Sequence, residues 1–504
     1  MSLSRHVNPE DIISHLQDLN ISVSDGASSN LTPYTTAYAS QRDIPKCKIP
    51  PEGAPADTVY AMLKDELDLD GRPNLNLASF VDTYLEDNAQ KLMVDNLAKN
   101  LADNDEYPAM ISISERCVSI LAHLWGVQPG EKAIGSPTVG SSEAIHLGGL
   151  AMKRRWQERR RAEGKDTLRP NILMGANAQV ALEKFARYFE VEARILPVSA
   201  KSNFCLDPDL VRENIDENTI GVFVILGSTY TSHFEPVERV SKILDEFQDS
   251  TGVDISIHVD AASGEMYHVK EPLFTYQLLA KNFELPRVKS INASGTRSSS
   301  STTSARLLSK SLEATGWYTC ISDIHRAAHD SNSTASQIAE KIKTTAAAAT
   351  TTTSQTNQET SAAYTPGPPV VSFRFTDKFP RESPHVKQET VSPLLRARQW
   401  IIPNYALPPK EDGTEILRVV VRESMGFDLL DRLVTDIVQV TETLMANDEV
   451  DLSLLQRQRR KPVERRKEEE QEQEDKGGEA KTAGLEAVGR DVKRMAEGIH
   501  RSVC

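Results

Sequence analysis

Between residues 140 and 264, short apolar stretches alternate with amphipathic ones. Apolar runs of about four to eight residues are typical of buried strands, and apolar positions three or four apart are typical of helices. The predicted strands are NILMG (171–175), VEARILPV (191–198), TIGVFVILG (219–227) and ISIHVDAA (255–262). One predicted helix starts after Gly140 and ends at about Arg161. Two others cover 179–189 and 237–247. This alternation predicts a parallel sheet with right-handed crossovers, which collects ligands at the carboxyl ends of its strands.

Before this region the pattern predicts helices, and after it the pattern predicts a smaller domain of helices and strands. Helical spacing covers 56–69 and 115–126. The later predictions are a helix and then a strand within 305–324, strands at 370–375 and 416–421, and a helix at 427–445. We expect these last elements to form a small α+β domain.

Shifts in composition divide the chain into segments. They are an irregular N-terminal arm (1–55), a helical segment (56–139), a large ligand-binding domain (140–295), a Ser/Thr-rich junction (296–304), a small C-terminal domain (305–343 and 370–447) interrupted by a low-complexity insertion (344–369), and a charged tail (448–504). The insertion is mostly Ala and Thr without periodicity, so we predict that it is disordered, as is the tail.

Composition and charge narrow the class of protein. The chain has 504 residues, 39% of them hydrophobic, which is enough for about two or three domains. Its formal net charge of −14 argues against a nucleic-acid binder, because neutralising phosphates requires clustered Lys and Arg. The five cysteines are scattered and never form a CxxC pair, so we expect a reducing compartment and no disulfide framework or metal site. With no apolar signal core and no run of about eighteen apolar residues, the sequence predicts a cytoplasmic protein without a membrane segment.

GSSEA (140–144), at the start of a predicted helix, is a candidate anion site. Backbone N–H groups, the hydroxyls of Ser141 and Ser142 and the positive end of the helix dipole point to one place, which suits a phosphate. The alternative is that one serine only caps the helix, with Glu143 in its first turn.

HVDAASG (258–264) places Asp260 at the end of a buried parallel strand. A lone carboxylate is costly to bury without a cationic partner, and a pyridinium N–H is such a partner. The alternative for Asp260 is a strand-end cap. His258 lies two residues back on the same strand face, and we interpret it as a core histidine rather than a catalytic one.

In combination, these motifs resemble glutamate decarboxylases, which are pyridoxal 5'-phosphate (PLP) enzymes of fold type I. The similar segments are NLASF (76–80), DEYP (105–108), GSSEAIHLGGLAMKRRW (140–156), PNILMGANAQVALEKFARYFEVE (170–192), DENTIGVFVILGSTYT (216–231), IHVDAASG (257–264), LPRVKSINASG (285–295), VVSFRF (370–375), WIIPNYALPP (400–409) and EILRVVVRE (415–423). The form is more similar to fungal and plant members than to animal ones. The resemblance implies an α/β fold of the PLP-dependent transferase type. In that fold a parallel-rich sheet with helices on both faces binds PLP, and a small C-terminal α+β domain follows.

The resemblance also assigns site residues. Contacts to PLP fall on Ser141 and Ser142 (phosphate), Gln179 (ring face), Thr229, Asp260 (ring nitrogen), Ala262 (beneath the ring) and Ser294. Contacts to L-glutamate fall on Ser79 and Asn100 (distal carboxylate) and Arg418 (α-carboxylate). A guanidinium suits a carboxylate because it offers a planar bidentate fork. The alternative for Arg418 is a surface salt bridge on an edge strand.

The resemblance breaks directly after INASG. Where the family has His and Lys, this chain has Thr296 and Arg297, so no lysine stands at the Schiff-base position. Arginine stays protonated and cannot supply the neutral amine that an imine needs. The run SGTRSSSSTTS (294–304) then leads almost directly into ARLLSKSLE (305–313), so we expect part of the large domain to be missing.

The resemblance implies decarboxylation of L-glutamate to 4-aminobutanoate and carbon dioxide, and the missing lysine implies little or no such activity in this chain. Two origins stay open: a wrongly joined exon, or a degenerate paralogue that acts as an interaction partner of an intact decarboxylase. Because family members form oligomers, we expect a homo-oligomer. The basic segment 452–467 is either a calmodulin-type target or, in the simpler interpretation, a solvated charge run.

Overall fold

The structure is a computed structural model. It describes residue 49 and residues 55–79, 85–100, 102–103, 105–263, 282–294, 302–327, 364–422 and 424–446. The chain forms two compact units, residues 1–71 and 72–504. The predictions that lie outside the described residues concern most of the N-terminal arm, Thr296 and Arg297, the insertion up to residue 363, and the tail with its basic segment 452–467.

The described residues form helices and strands in the following order. The helices are α1 (Ala56–Leu67), α2 (Asp87–Asp95), α3 (Pro108–Leu124), α4 (Ser141–Ala162), α5 (Val180–Tyr188), α6 (Pro208–Asn214), α7 (Val237–Thr251), α8 (Thr302–Ala314), α9 (Phe379–Glu382), α10 (Val391–Ala397) and α11 (Phe427–Ala446). The strands are β1 (Asn171–Gly175), β2 (Glu192–Leu196), β3 (Thr219–Ile225), β4 (Ser256–Ala261), β5 (Val288–Ala293), β6 (Tyr318–Cys320), β7 (Val370–Phe375), β8 (Asn404–Ala406) and β9 (Glu415–Val420).

Most predicted elements are confirmed, and their ends shift by a few residues. NILMG is β1 and VVSFRF is β7, residue for residue. The helix expected from Ala305 begins at Thr302, so the last three residues of the predicted junction are helical. β5 was not predicted, because VKSINA has two adjacent polar residues and neither alternates regularly nor contains an apolar run.

The large sheet has five parallel strands in the order β2-β1-β3-β4-β5, which confirms the predicted parallel sheet. β1, β3 and β4 are buried along their whole length, as expected of strands with helices on both faces. On one face, α4 and α5 contribute Trp156 and Phe185 to the core. On the other face, α7 contributes Val240 and Leu244.

The second sheet is antiparallel, with the strand order β6-β7-β9-β8. It packs against α8, α10 and α11 around a core that includes Leu308, Leu395, Trp400 and Ile437. Residues 364–369, which the sequence analysis includes in the insertion, are described: Tyr364 pairs with Ala327, and Thr365 is buried. The end of the predicted insertion is therefore part of the ordered chain next to β7.

In the first unit, the described residues form α1, as the helical spacing at 56–69 predicts. Ala61 is buried, whereas Tyr60 and Leu67 are exposed. No helix in the described parts of either unit is both long enough and apolar enough to cross a membrane.

Candidate functional site

Five of the predicted site residues lie at the carboxyl edge of the large sheet. Gln179 follows β1, Thr229 follows β3, Asp260 and Ala262 lie at the end of β4, and Ser294 follows β5. All five strands are parallel, so their carboxyl ends share one edge. Ligands bind at this edge in open α/β sheets.

Asp260 is the buried acid of this edge, with 6% of its surface exposed. Its Oδ1 accepts hydrogen bonds from the Ala262 backbone N–H at 3.1 Å and from Asn292 Nδ2 at 2.9 Å. Its Oδ2 accepts no hydrogen bond from the described residues. The strand-end cap is therefore present, and one carboxylate oxygen is still available to a cationic partner.

The amino terminus of α4 carries the two candidate phosphate-binding hydroxyls. The helix begins at Ser141 after Gly140, and no side chain caps it. Glu143 Oε2 accepts a hydrogen bond from the Val139 backbone N–H at 2.7 Å. The alternative in which a serine caps this helix is therefore wrong. Ser141 and Ser142 lie in the first turn of a 22-residue helix, where backbone N–H groups and the helix dipole favour an anion.

A close contact fixes α4 against the strand that carries Asp260. A Cβ atom on Gly148 would lie only 2.4 Å from His258 Nδ1, so a larger residue does not fit there. Ser141 precedes Gly148 by seven residues, which corresponds to about 10 Å along a helix. His258 therefore sets the spacing between α4 and β4, and with it the position of the α4 terminus.

The loop after β3 is held by the second sheet and by the segment that follows β6. Arg418 Nη1 donates to the Thr229 carbonyl at 3.1 Å. His233 Nε2 lies 3.2 Å from Asp323 Oδ2. Thr229 is therefore fixed relative to the residue predicted to bind the substrate's α-carboxylate.

Arg418 is only 1% exposed and lies on β9, a central strand of its sheet. The alternative of a surface salt bridge on an edge strand is therefore wrong. Its guanidinium also donates to the Ala78 carbonyl and lies 5.7 Å from the centre of the Tyr405 ring. A guanidinium held in the protein interior offers a planar fork that suits a carboxylate.

The remaining predicted substrate residues differ in their surroundings. Ser79 is half-buried and directly follows Ala78, which accepts a hydrogen bond from Arg418. Asn100 is exposed, and its Oδ1 accepts the Ala102 backbone N–H at 3.2 Å. Within the described residues, no hydrogen bond joins Asn100 to Ser79 or Arg418. The shared substrate role of Ser79 and Asn100 stays a prediction.

Gln179 is the N-cap of α5, and its Oε1 accepts the Ala181 backbone N–H at 2.6 Å. The sequence analysis assigns this side chain to the face of the cofactor ring. The cap fixes the side chain at the end of β1. Its contact with a ring stays a prediction.

Comparison with known proteins shows the family of this chain. The conserved domain of pyridoxal-dependent decarboxylases matches residues 56–302. Glutamate decarboxylase of Saccharomyces cerevisiae is 40% identical over 478 residues, which cover 82% of this chain and 81% of the relative. The chain belongs to the pyridoxal-dependent decarboxylase family.

Other relatives support the same family. Glutamate decarboxylase of Petunia hybrida is 37% identical over 82% of this chain and 87% of its own length. The solved structure of glutamate decarboxylase from Lactobacillus brevis has a TM-score of 0.69 and 27% identity, and covers 82% of this chain and 99% of its own. A structure of Oryza sativa TDC with PLP has a TM-score of 0.56 at 14% identity, covering 87% of this chain and 99% of its own, which shows the fold alone.

The described residues of this decarboxylase fit PLP at two points. The α4 terminus offers two hydroxyls and backbone N–H groups to a phosphate. Asp260 offers a buried carboxylate oxygen to a ring nitrogen that carries a proton. The correspondence of Arg297 with the family's lysine stays a prediction, since residue 297 lies outside the described residues.

The sequence analysis misses two buried polar groups of the decarboxylase site. Asn292 is quoted there only as part of INASG, although it donates to Asp260. Glu235 is 3% exposed, and its carboxylate accepts hydrogen bonds from Asn177 Nδ2 at 2.8 Å and from the Ile225 backbone N–H at 2.7 Å. It therefore ties the ends of β1 and β3 together. The available signal was an acidic residue shortly after a uniformly apolar strand.

Glu235 is expected to make the stability of this decarboxylase depend on pH. Burial raises the pKa of its carboxyl to about 7 from an ordinary 4.5, against the opposing effect of its hydrogen bonds. The folded state therefore holds this proton more tightly than the unfolded state does. The resulting stabilisation, about 3 kcal/mol, is complete below the unfolded pKa and is lost as the pH rises through the folded one.

Urea unfolding at about pH 5 and about pH 8 measures this effect. The variant Glu235→Gln should lose most of the difference between the two free energies of unfolding. Glu217→Gln is the matched control, because the Glu217 side chain is 60% exposed. An unchanged pH difference in Glu235→Gln would show that another group titrates.

Proposed function

We propose that this chain binds PLP at the carboxyl edge of its large sheet and recognises L-glutamate, and that it turns over little or no substrate. The observation that carries the proposal is the Asp260 carboxylate, which is buried at the end of a parallel strand with one oxygen held and the other available. The relatives named glutamate decarboxylase support the substrate class.

The roles of the residues follow from their chemistry. When bound, PLP provides an aromatic ring that draws in the electron pair left when the bond between Cα and the α-carboxylate breaks. Asp260 holds a proton at the ring nitrogen, and the α4 terminus with Ser141 and Ser142 neutralises the phosphate. Arg418 orients the α-carboxylate through its bidentate fork. Together these groups position a substrate without a covalent anchor.

The missing anchor limits the function. Arg297 stands where the family has lysine, and a guanidinium remains protonated. The chain therefore binds PLP only through the phosphate, the ring and the surrounding apolar residues. We infer reversible and weak binding as a consequence.

Titration of the purified chain with PLP, followed by the absorbance of the cofactor and the fluorescence of the four tryptophans, tests this proposal. Saturable binding that dialysis reverses supports it. If binding does not saturate at any soluble concentration of PLP, the cofactor site does not form and the proposal fails.

We infer further that the chain pairs with a second copy or with an intact paralogue. α2 contains no buried residue and exposes Leu92, Met93 and Val94, and Leu97, two residues after its end, has 78% of its surface accessible. Ile120 on α3 is 66% exposed. Clustered apolar side chains of this kind mark protein interfaces.

Sedimentation velocity of the purified chain tests the pairing. We expect a dimer or larger species, and Leu97→Glu should shift it to monomer because a charge cannot be buried unpaired. Lys99→Glu is the control, since Lys99 is also exposed but polar. A wild-type chain that sediments as a monomer, alone and mixed with an intact relative, would remove the proposal.

Two finer points stay predictions. The acidic composition and scattered cysteines favour the cytoplasm. The calmodulin-type contact rests on the basic run of 452–467 alone, and that run fits a solvated charge segment at least as well.

A further inference from the structure

Four polar side chains form a continuous hydrogen-bonded chain between β4 and β5. His258 Nδ1 lies 2.7 Å from Ser290 Oγ, and His258 Nε2 lies 2.8 Å from Asn292 Oδ1. Asn292 Nδ2 donates to Asp260 Oδ1 at 2.9 Å. The register explains the geometry, because His258 pairs with Ser290 and Asp260 with Asn292 on adjacent parallel strands. The four side chains thus share one face of the sheet.

The chemistry of these groups allows only one direction of donation. An ionised Asp260 can only accept, so the NH2 group of Asn292 must face it. The Asn292 oxygen then faces His258 and accepts, which places a proton on Nε2. Burial lowers the pKa of His258, so the ring is neutral and Nδ1 accepts from the Ser290 hydroxyl. The carboxylate therefore fixes the orientation of every group behind it.

The surroundings hold this chain of groups rigidly. His258 is 1% exposed and Asn292 is 5% exposed. The imidazole packs edge-on against Phe223, with ring centres 5.4 Å apart, and lies directly beneath Gly148 of α4. The imidazole therefore has no space to rotate, and Asn292 keeps its amide oriented toward Asp260.

We propose that His258 and Asn292 are positioning residues that hold the Asp260 carboxylate in one rotation, with Oδ1 occupied and Oδ2 presented to the ring nitrogen of PLP. The inference rests on the proposed function, since it assigns a partner to Oδ2. The interpretation of His258 as a core histidine explains its burial. It does not explain why Nε2 donates to Asn292 while Nδ1 accepts from Ser290. Without the Nε2–H donor, the Asn292 amide keeps its bond to Asp260 but loses the second bond that fixes its position, so the carboxylate is held less firmly.

Three variants of the full chain separate this role from packing. His258→Phe keeps an aromatic ring of similar size against Phe223 but has no donor, and it should raise the PLP dissociation constant about tenfold, as loss of supporting hydrogen bonds does at metal sites. His258→Gln keeps an N–H that reaches Asn292, and it should stay within about threefold of wild type. Ser256→Ala removes a buried polar group on the same strand, two residues from His258 and away from Asp260, and should leave the constant unchanged.

The nitrogen shifts of the imidazoles, measured by 15N NMR on the chain without PLP, provide a readout independent of cofactor binding. One neutral histidine with its proton on Nε2, lost in His258→Phe, is expected. A proton on Nδ1, or wild-type PLP affinity in His258→Phe, would overturn the inference. If the wild-type chain binds no PLP at all, the proposed function fails, and the NMR result alone then decides whether the fixed polarity exists.

Discussion

We expect the purified chain, incubated with PLP and L-glutamate, to release carbon dioxide at least about 1,000-fold more slowly than an intact glutamate decarboxylase. A rate loss of this size is comparable to that caused by removing the catalytic nucleophile of other enzymes. The physical reason is the side chain at position 297. Arginine cannot provide the neutral amine that captures the cofactor and releases the product. Binding and orientation by Asp260 and Arg418 do not replace that step.

Release of labelled carbon dioxide from carboxyl-labelled glutamate measures this, with the Saccharomyces cerevisiae relative assayed in parallel. The matched variant carries Thr296→His and Arg297→Lys. We expect it to remain inactive as well, because we predict that part of the large domain is missing where the Ser/Thr-rich run leads into α8. Borohydride reduction with peptide mapping should find no PLP adduct at position 297 of the wild-type chain. Turnover by the wild-type chain near that of the relative would contradict the prediction.

The three central strands of the large sheet, β1, β3 and β4, were predictable because they are buried on both faces. TIGVFVILG has no polar residue within its central apolar run, and it forms β3 with every residue buried. The sequence indicated the candidate site at two places, at Asp260 on a strand end and at the serines in the first turn of α4. The parallel order then follows from the alternation with helices.

The remaining features depend on contacts between distant parts of the chain. The apolar residues that follow Arg418 place it on a strand. Only the strand order β6-β7-β9-β8 shows that this strand is central, and only the structure shows that the guanidinium is buried. Asn292 resembles an ordinary polar residue of an alternating strand until the register brings it opposite Asp260. The serine cap is wrong because the helix begins at Ser141, so Gly140, which has no side chain, occupies the N-cap position.

The second large effect concerns Asp260 itself. Asp260→Ala should weaken PLP binding about 10- to 100-fold, because a hydrogen bond to a charged group contributes about 1.5–3 kcal/mol and each 1.4 kcal/mol is a factor of ten. Asp260→Asn should fall between this variant and the wild type, since it keeps the hydrogen bond but not the charge. PLP titration by absorbance measures the three constants, and thermal unfolding confirms that each variant is folded.

Asp216→Asn is the control for losing a hydrogen-bonded, half-buried carboxylate elsewhere on the sheet. Asp216 lies before β3, at the amino edge, and accepts hydrogen bonds from Asn171 at 2.8 Å and Arg194 at 2.7 Å. Its loss should lower stability and leave PLP affinity unchanged, because it is at the end of the sheet opposite Asp260. Equal weakening of PLP binding in both variants would mean that Asp260 acts only through folding. An unchanged PLP dissociation constant in Asp260→Ala would mean that Asp260 does not pair with the ring nitrogen. The proposed contact between this buried carboxylate and the cofactor would then be wrong.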